Sequence, residues 1–140
     1  MYSVKDKIHV ESFDLKIESV DRAGTLVLNG GAEGMDMEYP SDDGYEYITA
    51  VCKVENTGEE EENAPMVFRA YADKESVNQF TALGLYDGNK ILGGAVAPGM
   101  SAKGWVSWKV PVGWKTLDID VLDNLGSTVG RYEIKSREVK

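Results

Sequence analysis

One histidine, His9, and one cysteine, Cys52, bound the covalent chemistry open to this chain. A Ser-His-Asp triad would have to use His9, and no G-x-S-x-G elbow accompanies it. A Cys-His pair would need an exposed thiolate in an electropositive setting. Cys52 instead lies between Ala50 and Val54 on an apolar alternation, the setting of an inert buried thiol. One Cys and one His also fall short of a structural zinc site. Carboxylates are abundant, but they fall in glycine-rich loops and on polar strand faces, where nothing would raise a pKa for glycoside hydrolysis. The expectation is a protein that is not an enzyme.

Two binding chemistries remain. Asp36, Glu38, Asp42 and Asp43 share one stretch of chain, and hard oxygen ligands on a loop suit Ca²⁺. The spacing is not that of an EF-hand, because Pro40 follows where a glycine and a distal glutamate are required. The alternative is a solvated acidic loop without a cofactor. Aromatic side chains offer the second chemistry. Trp105 is out of phase with Trp108, so if Trp108 is core, Trp105 faces outward. Trp114 follows Pro111 in a turn, and Tyr39, with Tyr45 and Tyr47, flanks the acidic stretch. Exposed aromatics on a sheet can stack on sugars or anchor a protein partner, and they can equally cover the ends of a core.

Charge narrows the partners. The formal charge is −9, with a sequence pI near 4.6. A field of that sign repels phosphate backbones and anionic membranes, so nucleic acid is not expected. It favours cationic ligands such as calcium or a basic polymer. No stretch approaches the roughly 18 apolar residues of a membrane-spanning helix. The opening Met1–Lys7 lacks the apolar core of a signal peptide. The compartment is therefore either the cytoplasm or, with a leader removed, the cell surface.

The elements that must position these groups are strands. Phe13, Leu15 and Ile17 alternate with Asp14, Lys16 and Glu18, and a break at Glu11-Ser12 brings Ile8 and Val10 into phase. Ile48, Ala50, Cys52 and Val54 form one face of a long strand ending at Asn56-Thr57-Gly58, where Asn and Gly tolerate positive φ. Thr49 and Val51 make its other face half apolar, which marks a central strand. Residues 29–44 read as a sixteen-residue loop and the most mobile internal segment. Glu59–Glu62 reads as a solvated acidic run. Residues 74–85 read as one helical turn. Pro98-Gly99 fits a type II turn, and Val106, Trp108 and Val110 share a face beyond it. Leu117, Ile119 and Val121 alternate with Asp118 and Asp120, and the tail from Lys135 reads as frayed. The sum is a single domain over 1–140, an all-β antiparallel sandwich of about 7–9 strands.

The strand into Asn56-Thr57-Gly58, the segment ending Ala97-Pro98-Gly99, and the strand Gly104–Val110 before Pro111 follow one another in a particular order. That order, with the opening Tyr2–Ile8, resembles the DUF4352-type immunoglobulin-like domains of bacterial surface proteins and lipoproteins. The long acidic stretch 29–44 and the paired tryptophans depart from that pattern. The resemblance implies an immunoglobulin-like sandwich, export and surface attachment, and brings no catalytic residues. The expected role is a non-enzymatic extracellular or cell-surface interaction module. Its partner would be a protein or a surface polymer. The alternative is a small-ligand, carbohydrate or calcium-binding sandwich using Trp105, Trp114 and the acids.

Overall fold

The computed structural model describes residues 2–30, 34–65 and 67–140. Twelve strands are named in chain order: β1 Lys7–Val10, β2 Phe13–Ala23, β3 Thr25–Leu28, β4 Met37–Pro40, β5 Tyr45–Asn56, β6 Glu62–Asn63, β7 Phe68–Ala72, β8 Glu75–Phe80, β9 Ala95–Val96, β10 Ser101–Pro111, β11 Thr116–Leu122 and β12 Thr128–Lys135. Eight of them form one antiparallel sheet in the order β1-β2-β5-β10-β8-β7-β11-β12. The sheet folds over on itself at β8. Asn78 to Phe80 of that strand pair with β10, and Glu75 to Val77 pair with β7. On the far side Tyr2 bridges to Tyr132, and the Tyr132 hydroxyl donates to the Leu15 carbonyl at 3.0 Å. The result is an immunoglobulin-like β-sandwich with β1, β2, β5 and β10 in one layer and β7, β11 and β12 in the other.

The core lies between the layers. Phe13, Leu15, Ile17, Ile48, Ala50, Cys52, Val54, Val106, Trp108, Leu117, Ile119 and Val121 are all buried in it, as strand alternation predicts. β1 and β2 are joined by the two-residue turn Glu11-Ser12. β5 is central, flanked by β2 and β10. Met100 N–H donates to the Ala97 carbonyl at 3.1 Å, and Gly99 adopts φ +76°, which closes the expected type II turn.

Four expectations fail for identifiable reasons. The helical turn at 74–85 is replaced by β8, because Asp73 and Lys74 both take positive φ and reverse the chain as a tight hairpin. The segment 29–44 contains β4, which pairs with β3 from Thr25↔Pro40 to Leu28↔Met37; residues 31–33 lie outside the described residues. Its short alternation gains meaning only from the partner strand. The tail does not fray: residues 136–138 form a 3-10 turn, and Val139 packs into the core. Asn56 terminates β5 by hydrogen bonding, not by positive φ. Its fully buried amide nitrogen donates to the Glu60 and Val96 carbonyls, both at 2.8 Å, and its oxygen accepts from Gly58 N–H at 2.9 Å.

Trp108 is 1% exposed and sits edge-on to Phe68 with ring centroids 6.3 Å apart. Its indole N–H has no partner among the described residues. Trp108→Ala should therefore cost about 3–5 kcal/mol in chemical denaturation. Trp108→Phe should cost much less, because no hydrogen bond is lost with the nitrogen. Equal losses for both variants would contradict this packing.

Candidate functional site

Trp105 does face away from Trp108, yet it is fully buried. The expectation of a partly exposed Trp105 is corrected. The β3–β4 hairpin folds over the outer face of β5 and β10 and encloses a second apolar cluster of Leu26, Leu28, Tyr47 and Trp105. Tyr39 and Phe80 pack at its margin with ring centroids 5.2 Å apart. The Trp105 indole donates to the Gly84 carbonyl at 3.2 Å. Gly84 has φ +134°, and a Cβ there would stand 2.7 Å from the Leu28 Cβ, so glycine is what lets this loop close on the hairpin.

Trp114 is also buried, at 3% exposure, against the expectation of an open aromatic. Its indole donates to Glu46 Oε2 at 2.8 Å, and the Arg22 guanidinium lies 5.6 Å from its ring. Arg22 in turn donates to the Ser136 carbonyl and hydroxyl at 2.8 and 2.7 Å. This clamp holds the C-terminal segment against the sandwich. Trp105, Trp114 and Tyr39 therefore act in packing, and no aromatic row results from them.

The four acids of the calcium expectation are strung along extended chain. Asp36 precedes β4, Glu38 sits within it opposite Val27, and Asp42 and Asp43 follow it. At roughly 3.3 Å per residue a strand spreads such groups apart. Asp42 pairs with Lys109 at 3.6 Å. Among the described residues no three His, Cys, Asp or Glu side chains gather as a metal site. His9 and Cys52 do not meet either. His9 is exposed and contacts Asp14 at 2.9 Å. Cys52 is buried, and desolvation, with Glu18 nearby, pushes its thiol up to about 12, which disfavours the thiolate.

What the structure does gather is one end of the sandwich. The β1–β2 turn, the 57–67 loop and the β11–β12 turn meet there, because antiparallel order returns these strand ends to the same pole. Hydrogen bonds tie the three together. Thr57 donates from N–H and Oγ1 to the Ser12 carbonyl at 2.7 and 3.1 Å. Asn124 N–H donates to Glu11 Oε1 at 2.9 Å. Glu11 holds φ +53°, an unfavourable region for a residue with a Cβ, and the carboxylate contact offsets that strain. Asp123 Oδ1 accepts from Leu125 and Ser127 N–H, each at 2.9 Å. Between the turns lies a cleft of about 220 Å³ that includes Glu11, Phe13, Glu62, Pro65, Leu122 and Asn124 in its walls. Beside it Val67 is 65% and Leu125 91% exposed. Glu59–Glu62 is solvated, as its composition predicts, and its last residue, Glu62, lines this cleft. Val10, Glu11, Ser12 and Phe13 enter the sequence reading only as parts of a broken strand, and nothing there joins them to the other residues of the cleft. Their common signal was that three turns end strands of matching direction, which requires the topology to read.

The outer face of β11 is charged. Asp120 is buried and held by Arg131 through two hydrogen bonds. Asp118, two residues along the strand, has an Oδ1 with no partner among the described residues, and desolvation raises its pKa against the nearby Arg131.

The strands and their order define an immunoglobulin-like β-sandwich. The chain belongs to the family described as "Domain of unknown function (DUF4352)", which matches residues 2–130. Three solved structures resemble it. The ycdA protein of Bacillus subtilis, a candidate lipoprotein, aligns with TM-score 0.67 and 16% identity over 97% of this chain and 40% of its own. This chain thus spans less than half of that protein. The yjhA protein of Bacillus subtilis aligns with TM-score 0.61 and 17% identity over 96% of this chain and 98% of its own. An uncharacterised β-sandwich protein of Clostridium difficile aligns with TM-score 0.59 and 16% identity over 95% and 91%. At these identities the likeness concerns the fold. No curated protein matches the chain.

Two outcomes follow from the charged groups. Millimolar Ca²⁺ should leave the melting temperature unchanged, and a rise would show a site in the native state. The raised pKa of Asp118 means that its ionised form is disfavoured in the fold. Its contribution is favourable at pH below the unfolded carboxylate value and is lost as pH rises through the folded one. Asp118→Asn should accordingly raise the melting temperature at pH 7 and leave it nearly unchanged at pH 3, where the native carboxyl is already neutral. A lower melting temperature at pH 7 would show the carboxylate to be stabilising.

Proposed function

We propose that this chain is a non-catalytic recognition domain of a bacterial cell-surface protein, and that it engages a protein partner through the turn-built pole. One observation carries the reading. At that pole two large aliphatic side chains, Val67 and Leu125, stand in solvent beside a cleft whose backbone is already cross-tied. Exposed apolar groups on a preorganised loop cluster are what an interface uses, since little ordering remains to be done on binding. The lipoprotein character of one structural relative supports a surface location. No cofactor or catalytic group is needed for such a role.

Carbohydrate stacking is the weaker reading, because Trp105 and Trp114 are both enclosed. The test is a ¹⁵N-resolved titration of the full chain with an extract of bacterial surface proteins. Line broadening should concentrate at residues 11–12, 59–63 and 124–126. The double variant Val67→Ser, Leu125→Ser should keep its dispersed spectrum and lose the broadening. Broadening centred on the β3–β4 hairpin, or none at all, would refute the pole as the binding face.

A further inference from the structure

The charge of this protein is not spread over it. The segments that build the pole are residues 10–15, 54–65, 67–68, 91–102 and 121–130. Together they carry eight acids, Glu11, Asp14, Glu55, Glu59, Glu60, Glu61, Glu62 and Asp123, and no lysine or arginine. The chain has 24 acids and 15 lysines and arginines in all, so the remaining 16 acids are balanced to within one charge. Nearly the whole net charge of −9 therefore resides at one end. The opposite end carries Lys115, Lys135 and Arg137 around a shallow depression of about 650 Å³.

The side chains of Glu59, Glu60, Glu61 and Glu62 form no salt bridge among the described residues. Their backbone is nevertheless held, by Asn56 at Glu60 and by pairing of Glu62 with Val96. Like charges are thus kept together by the fold against their own repulsion, which a cationic partner would relieve. The shape indicates the rest. The cleft of about 220 Å³ is one part of a larger hollow. It runs into a second depression that shares Asn63, Pro65, Leu122 and Asn124 with it and adds Val67 and Asp123. The combined trough is open and mixed, with Phe13, Pro65, Val67 and Leu122 among its apolar side chains and Glu11, Glu62 and Asp123 as its acids.

Building on the pole reading above, we infer that the partner presents an extended polypeptide segment rich in lysine or arginine and carrying at least one aliphatic side chain. The aliphatic group seats on Phe13, Pro65 and Leu122, and Leu125 closes over it. The cations run along Glu59–Glu62 and Glu11. Steering by the focused field speeds encounter, and the apolar anchor supplies residence.

Calorimetric titration of the full chain with a blocked Lys-Leu-Lys-Lys-Leu-Lys peptide tests this. Binding should weaken about tenfold or more between low and high salt, as screening predicts. Neutralising Glu59–Glu62 as E59Q/E60Q/E61Q/E62Q should cost about tenfold or more, and Leu125→Ser several-fold, while the quadruple variant melts no lower than the parent because its repulsion is relieved. The charge-matched control D36N/E38Q/D42N/D43N alters the hairpin by the same four charges and should leave affinity within about twofold, because those groups lie beyond the reach of the trough. Equal losses for both quadruple variants would overturn the proposal in favour of a diffuse field. Spermine binding as tightly as the peptide would overturn the apolar anchor. A neutral Gln-Leu-Gln-Gln-Leu-Gln peptide that perturbs residues 11–12 and 124–126 as strongly as the cationic one would overturn the charge assignment while leaving the pole as the binding face. If neither peptide perturbs the pole, the peptide proposal falls, and the surface-extract titration decides separately whether the pole binds anything.

Discussion

The pairing of β5 with β10 is the constraint on which the remaining structure depends. Eleven consecutive residue pairs run from Ser101↔Glu55 to Pro111↔Tyr45 without a shift in register. Side chains alternate across that ribbon, so the same two strands supply an inner face with Ile48, Ala50, Cys52, Val106 and Trp108 and an outer face with Tyr47, Thr49, Val51, Trp105 and Ser107. A one-residue slip would exchange the two sets and place Trp105 in the core against Phe68. The buried Thr49–Ser107 hydroxyl contact at 2.9 Å, with Ser107 also donating to the Ile48 carbonyl, adds a polar check on that register.

Both faces of this ribbon need cover, and the fold solves the two problems differently. The inner face is closed by the second layer, reached through β8. The outer face is too apolar for water, and the β3–β4 hairpin closes it over half its length. That hairpin is held by packing on Trp105 and Tyr47, by the Asn29–Leu85 backbone pair at 2.7–2.8 Å, and by the tight approach at Gly84. Its outward residues are Val27, Glu38 and Pro40. The acids in and beside it are spread along extended chain, and among the described residues no three of them gather.

The ribbon also sets where function can reside. Its length puts the β5 and β10 termini far apart, so the turns at each end form separate surfaces. At one end the Arg22–Trp114–Glu46 clamp secures the C-terminal segment and gathers cations. At the other, Asn56 at the last position of β5 pins a loop of four glutamates that would otherwise stand apart in solution. A single buried asparagine thereby converts a repulsive acidic run into one wall of a trough. The asymmetry of charge along the long axis is a consequence of topology acting on an otherwise unremarkable composition.

Much of the architecture was legible in the sequence, and the reason is local. Alternation of polar and apolar residues over Phe13–Ile17, Ile48–Val54, Val106–Val110 and Leu117–Val121 is a property of single strands, and all thirteen core positions it marks are buried. The Pro98-Gly99 turn is likewise decided within four residues. The rest needed tertiary contacts. Trp105 faces outward by local alternation but is buried by a hairpin some seventy residues earlier in the chain. β4 and β8 are too short and too polar to declare themselves without partners. The tail is ordered by Arg22, more than a hundred residues away. Glu11, Pro65 and Leu125 mean nothing together until three strand ends arrive at one pole. Sequence alone determined which residues could be inside, because that follows from period and hydrophobicity; tertiary structure decided which outward groups stay in water, because that depends on what folds over them.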